Sequence, residues 1–222
     1  MLIERKIYSL KVETNVLGPV MTNCYFAINE ETKETLIIDP AANADLIAEK
    51  LNRETLQPVA ILLTHGHFDH ILAATDIANG FQIPIYASKE EKELLETPSL
   101  NLSTSIRKNI SVSPTNYLND KDTIKLAGME INIIQTPGHT SGGICYLFKD
   151  SKVLFSGDTL FEGTVGRADL PTSNFHDLMD SLNRKLMTLS DDITVFPGHG
   201  ESTTIGHERH TNPYVTQGEY SK

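Results

Sequence analysis

The stretch 59-VAILLTHGHFDH-70 joins an apolar run to three histidines and an aspartate packed between His65 and His70. Val59 to Leu63 reads as a short buried strand. Imidazoles and carboxylates then crowd its C-terminal end, where neither a core nor a plain loop calls for them. In an extended loop the side chains alternate with period 2, so His65 and His67 face one side. Asp69 and His70 follow where a helix is expected to begin, and the change of direction aims them at a second point nearby. Histidine with aspartate suits zinc, iron or manganese, all of which accept nitrogen and oxygen donors.

Three further strand candidates end in the same way. 131-INIIQ-135 leads to TPGHTSGG, 152-KVLFS-156 to GDTLF, and 193-ITVF-196 to PGHG. Loops at the carboxyl ends of strands on a rigid sheet are where sites are built. If these ends share one edge, His65, His67, Asp69, His70, His139, Asp158 and His199 converge. Four donors complete one tetrahedral ion, so seven suit two ions with one carboxylate between them. Gly66, Gly138, Gly157, Gly198 and Gly200 flank the candidates, where tight turns and close backbone approach are needed. Pro137 and Pro197 stiffen their loops. His176, His207 and His210 lie outside these motifs and read as structural or solvated.

The chain has 222 residues, enough for one large domain or two small ones, and 39% of them are hydrophobic, enough for a sizeable core. Strands are expected at 20-VMTNCYFAI-28, 35-TLIID-39 and 143-GICYLF-148, with a hairpin over 143–156 around Lys149 and Asp150. Helices are expected at 43–54 with Asn43 as N-cap, at 69–79, at 88–96 with Ser88 as cap, and at 174–189. In the last, Phe175, Leu178, Met179, Leu182 and Leu186 share one face. Strands alternating with helices, mixed with hairpins, predict layered α/β structure with mixed sheets. The polar, irregular segment 97–122 is long for a connection and reads as a cover over a site or a surface excursion. Met21, Met129, Met179 and Met187 read as core, and 89-KEEKE-93 as a solvated helix face.

A formal net charge of −10 argues against a nucleic-acid partner, which demands neutralised phosphates. Cys24 and Cys145 sit in apolar strand runs outside any CxxC pair, so two reduced buried thiols are expected, as in a cytoplasmic protein. MLIERKIYSL contains no long apolar run of a secretory leader. No apolar stretch approaches the roughly 18 residues of a membrane span.

THGHFDH resembles the T-H-x-H-x-D-H signature of the metallo-β-lactamase superfamily, and TPGHTSGG, SGDTLF and FPGHG resemble its later motifs in order. LIIDP at 36–40 is similar to its N-terminal strand motif. GTVGRADLP at 163–171 and HGESTTIGHERHTNPY at 199–214 carry a closer likeness to the glyoxalase II (hydroxyacylglutathione hydrolase) branch, in its short single-domain bacterial form. The resemblance covers about residues 7–215. It implies a four-layer αβ/βα sandwich of two mixed sheets flanked by helices, one domain over 1–222, with two divalent metals, zinc first and iron or manganese as alternatives. One ion would be held by His65, His67 and His139, the other by Asp69, His70 and His199, with Asp158 bridging and Asp39 orienting a ligand loop. Longer glyoxalase II enzymes continue into a helical domain that supplies basic residues for the glutathione carboxylates, whereas only 23 residues follow His199 here.

The expected reaction is thioester hydrolysis of a small-molecule S-acyl conjugate by a hydroxide shared between the ions, with Asp69 and Asp158 as the catalytic carboxylates. A thiolate leaves readily, since thiols have a pKa near 8.5. Arg167, Tyr146 and Lys152 are candidates to meet an anionic part of the substrate. The chain is expected to act as a monomer or weak homo-oligomer. GTVGRADLP also resembles a segment of the mononuclear-iron persulfide dioxygenases, but FPGHG with an intact Asp69–His70 pair favours two metals. A lactonase or other metallohydrolase is the third reading, and a structural metal site the fourth. Structural zinc cages are commonly Cys-rich, and no cysteine lies among these donors.

Overall fold

The computed structural model describes residues 9–216, so most of the N-terminal stretch read above for a leader lies outside the described residues. The first sheet runs in sequence order: β1 (Leu10–Leu17), β2 (Thr22–Asn29), β3 (Glu34–Ile38), β4 (Gln57–Leu62), β5 (Ile85–Ser88) and β6 (Asn116–Leu118). β1, β2 and β3 pair antiparallel, and β3 through β6 pair parallel. Between them lie α1 (Ala44–Arg53), α2 (Phe68–Ile71), α3 (Ala74–Phe81) and α4 (Lys92–Glu96). The second sheet contains β7 (Thr123–Leu126), β8 (Met129–Gln135), β9 (Ile144–Phe148), β10 (Val153–Gly157), β13 (Thr194–Pro197) and β14 (Thr203–Thr204), in the order β14-β13-β10-β9-β8-β7. β11 (Leu160–Phe161) and β12 (Thr164–Val165) make a small hairpin, and α5 (Phe175–Arg184), α6 (Ile205–Thr211) and α7 (Pro213–Thr216) complete the elements.

Strand alternation builds the layers. In β2, Cys24, Phe26 and Ile28 face one core while Tyr25 and Ala27 face another. The first core lies against α1 and α3, through Ile47, Leu51, Ala74 and Ile77. The second lies between the sheets, where Leu36, Ile38 and Leu62 meet Ile131, Ile133, Tyr146 and Phe155. A third packs Cys145, Leu147 and Leu154 of the second sheet against Leu178 and Leu182 of α5 and Ile205 of α6. The result is a sandwich of helices, sheet, sheet and helices, as expected. Both cysteines are buried free thiols. Among the described residues no helix is long and apolar enough to cross a membrane.

Several local readings change. The helix expected over 69–79 is split into α2 and α3 because the Ala73 N–H donates to the Pro40 carbonyl (3.0 Å) instead of continuing the helical ladder. Asp69 and His70 therefore sit on a single isolated turn. Asn43 does occupy the N-cap position of α1, but it is left-handed (φ 57°) and makes no side-chain cap bond. Ser88 does cap its turn, accepting the Glu90 N–H. α5 stops at Arg184, capped at its start by Asn174, which accepts from the N–H groups of His176 and Asp177. Met21 lies in the β1–β2 turn, 68% exposed, and Phe175 is also exposed. β1, β5, β6, β7, β11, β12 and β14 lie outside the expected strands. The run 89-KEEKE-93 is not wholly solvated, since Glu91 is buried.

Candidate metal centre

β4, β8, β10 and β13 all end at one edge of the sandwich, and the loops that follow bring the seven candidate donors together. One donor atom from each of His65, His67 and His139 lies within 4.8 Å of the others, and the same holds for Asp69, His70 and His199. Asp158 stands between the two groups. Its Oδ1 is 3.4 Å from His70 Nε2, and its Oδ2 is 3.4 Å from His139 Nε2 and 3.6 Å from His199 Nε2. Asp69 Oδ2 lies 3.5 Å from His70 Nε2 and 3.3 Å from His199 Nε2.

Hydrogen bonds on the outer side of the rings decide which nitrogens face inward. His139 Nδ1 meets the Arg167 carbonyl at 2.8 Å, an acceptor only, so Nδ1 carries the proton and Nε2 faces the cluster. His70 Nδ1 donates to Asp39 Oδ2 (2.9 Å) by the same logic. The Thr64 hydroxyl donates to Asp39 Oδ2 (2.6 Å) and so accepts from His65 Nδ1 (3.1 Å). Asp39 also accepts the Thr64 N–H on Oδ1 (2.8 Å). With both its oxygens occupied, Asp39 orients two histidines and is not itself a donor.

This donor set fits metal ions. His65 Nε2, His70 Nε2 and Asp158 Oδ1 are buried and have no hydrogen-bond partner among the described residues, an arrangement that is costly unless something else satisfies them. His67 Nδ1 and His139 Nε2 face each other at 2.9 Å. Two imidazole nitrogens on one tetrahedral zinc, each about 2.0–2.1 Å from it, stand roughly 3.3 Å apart.

The electrostatics agree. Burial, reinforced by the neighbouring imidazoles, drives His65 well below its ordinary pKa and takes His67 down to about 3. Both therefore offer neutral nitrogens, the form that binds metal. Burial would raise the Asp158 carboxyl, but His70, His139 and His199 outweigh it and hold it at about 2. Asp69 is likewise held below the usual carboxylate range against its burial, by His70, His199 and Thr22. Burial opposes a charge on His70, yet Asp69, Asp158 and Asp39 raise its pKa well above the ordinary value. A proton there and a dication between Asp69 and Asp158 are alternative ways to balance the same carboxylates.

The remaining candidates separate. Arg167 lines the cleft above the donors, with its guanidinium held by Asp169 (2.6 and 2.8 Å). Tyr146 is fully buried between the sheets and donates its hydroxyl to the Leu63 carbonyl (2.8 Å), so it meets no substrate. Lys152 immediately precedes β10, at the far end of that strand from Asp158, and pairs with Asp192. His176 and His207 are exposed and outside the cluster.

Three supporting groups escaped the sequence reading. Thr22 donates to Asp69 Oδ2 (2.8 Å). Glu91 accepts the Gly66 N–H on one oxygen (2.9 Å) and the Gly142 N–H on the other (2.8 Å), joining the loops that carry His65, His67 and His139. Asn23 binds the carbonyls of Pro197 and Gly200 (3.0 and 2.9 Å), beside His199. Gly138 adopts φ 141° with Leu178 backbone 2.3 Å from where a Cβ would lie, so only glycine lets the His139 loop pack on α5.

Two mixed sheets between helices, with clustered His and Asp donors at the strand ends, define a metal-binding αβ/βα sandwich. The chain belongs to the metallo-beta-lactamase superfamily, whose family model matches residues 17–199. It is 39% identical to a probable metallo-hydrolase of Streptococcus pyogenes, over 86% of this chain and 84% of that one. It is 35% identical to the hydroxyacylglutathione hydrolase GloC of Haemophilus influenzae, over 93% and 98% of the two chains. Among solved structures, TTHA1623 in a di-iron-bound form superposes with a TM-score of 0.81 at 32% identity, covering 91% of this chain and 99% of the other.

Proposed function

We propose that this chain is a metal-dependent hydrolase that cleaves thioesters, in the manner of the hydroxyacylglutathione hydrolases. The observation that carries the reading is the position of Asp158, one oxygen toward His70 and the other toward His139 and His199. A carboxylate so placed would serve two ions. His65, His67 and His139 would hold one, and Asp69, His70 and His199 the other. Bound there, divalent ions would make hydroxide available at neutral pH and polarise a carbonyl. Zinc suits these ligands; the di-iron form of TTHA1623 supports iron as well.

The chain's own groups supply orientation. Thr22 fixes Asp69 through Oδ2, leaving Oδ1 to accept a hydrogen bond that orients water in the cleft. Asp39 and the Arg167 carbonyl set the rings of His70 and His139. A thiolate leaving group needs little acid assistance, which suits a site whose polar groups are committed to the donor cluster. The hydroxyacylglutathione hydrolase from Haemophilus influenzae supports the thioester as substrate class.

Elemental analysis of the purified protein, run beside an assay on S-lactoylglutathione and uncharged thioesters, tests the reading. Two metals per chain with hydrolysis are expected. One iron per chain with oxygen uptake on glutathione persulfide would replace it with the dioxygenase reading.

A further inference from the structure

The cleft above the donors has a volume of about 490 Å³, within the range of small-molecule sites. Its walls are Val20, Phe68, Leu102, Phe161, Val165 and Leu170. They come from the β1–β2 turn, the start of α2, the long connection after α4, β11, β12 and the loop beyond. Phe161 also meets the His199 ring edge-on, 6.1 Å between centroids, so the apolar wall reaches the donor cluster itself. Apart from the candidate ligands, the lining offers, among the described residues, only Thr164 and Arg167 as polar side chains. Arg167 is neutralised by Asp169.

Glutathione carries two carboxylates and an ammonium. Against these walls a carboxylate would lose hydration, and among the described lining residues no uncommitted cation receives it. The net charge of −10 adds repulsion at long range. An uncharged chain gains from the same surface, by roughly fourfold in affinity for each methylene buried. Resting on the thioesterase reading, we propose that the preferred substrates are thioesters with an uncharged, apolar acyl chain that fills this cleft, ahead of glutathione conjugates.

The test uses the metal-loaded full chain and N-acetylcysteamine thioesters of acetate, butyrate and hexanoate, beside S-lactoylglutathione. We expect kcat/KM to rise at least tenfold from acetyl to hexanoyl, and the hexanoyl thioester to exceed S-lactoylglutathione at least tenfold. Leu102→Asp and Phe161→Asp, checked for metal content and thermal stability, should lower the hexanoyl value more than the acetyl one. A flat chain-length series, or S-lactoylglutathione as the better substrate, overturns the proposal. Calorimetry with the unreactive thioethers S-methyl- and S-hexyl-N-acetylcysteamine gives a reading independent of turnover. Tighter binding of the hexyl compound supports the apolar occupant, and equal binding overturns it. If the metal-loaded protein hydrolyses no thioester, the thioesterase reading fails, and the calorimetry still judges the cleft.

Discussion

The Tyr25 hydroxyl donates to the carbonyl oxygen of Pro197 at 2.6 Å. Tyr25 belongs to the first sheet and Pro197 ends the strand before His199, so one sheet holds the ligand loop of the other. Asn23 adds its amide to the same carbonyl, so Tyr25→Phe leaves no orphaned acceptor. Its expected cost is about 1 kcal/mol in unfolding free energy. Zinc affinity, measured by chelator competition, should fall several-fold. Unchanged affinity would mean that the bond does not position His199.

Glu91 gives a graded pair of variants. Glu91→Ala leaves two buried N–H groups without acceptors, at about 1–3 kcal/mol each. Glu91→Gln keeps one acceptor. Melting temperature and zinc affinity should both decrease in the order wild type, Gln, Ala. A Gln variant that binds zinc as tightly as wild type would show that holding both loops is not needed for the ligands.

Asp158→Ala should remove bound metal and turnover together, because the variant lacks the carboxylate shared by both donor groups. Normal thioester hydrolysis with full metal content would sink the bridging role. His207→Ala, altering an exposed ring outside the cluster, should leave metal content as it was.

Away from the site, Glu13 accepts from Lys11 and Lys50, and these bonds hold its carboxyl at about 2. The folded value lies below the unfolded one, near 4.3. The pair therefore contributes fully above about pH 4.3 and is lost as pH falls toward 2. Solvent screening keeps the contribution to about 0.5–1 kcal/mol. Urea titrations of wild type and Glu13→Gln should differ by that much at pH 6 and converge near pH 2. A constant difference would show that the carboxylate is not the source.

The donor cluster was legible because histidine and aspartate at the ends of four apolar runs have no competing explanation. Strand periodicity also separated the buried runs correctly, since β2, β3, β4, β9 and β10 have few polar residues to confuse the pattern. The edge strands β1, β6 and β7 escaped because exposed residues recur along them and break the apolar pattern. Glu91 escaped for a different reason. Within KEEKE nothing distinguishes it from its exposed neighbours, and only the 3-10 turn over Lys89–Glu91 rotates it inward. Tyr146 and Lys152 were misjudged because strand position alone does not tell which end, or which face, reaches the cleft. Arg167 is close to the donors, but its partner Asp169 lies two residues along and the pairing needs a fold to show it.

The two sheets are joined unequally along their length. At the edge carrying the donors, the Ile144 N–H reaches the Thr64 carbonyl, the Asn23 N–H reaches Gly198, and Tyr146 reaches Leu63. At the other end, where β7 turns into β8, Asn29 donates to the Ala127 carbonyl (2.9 Å). Loading with metal would fasten the first end and leave the second as it was. Amide hydrogen exchange should then slow at Thr64, Ile144 and Gly198 when zinc is added, with little change around Ala127. The sandwich would breathe from one end, like a book held at its spine.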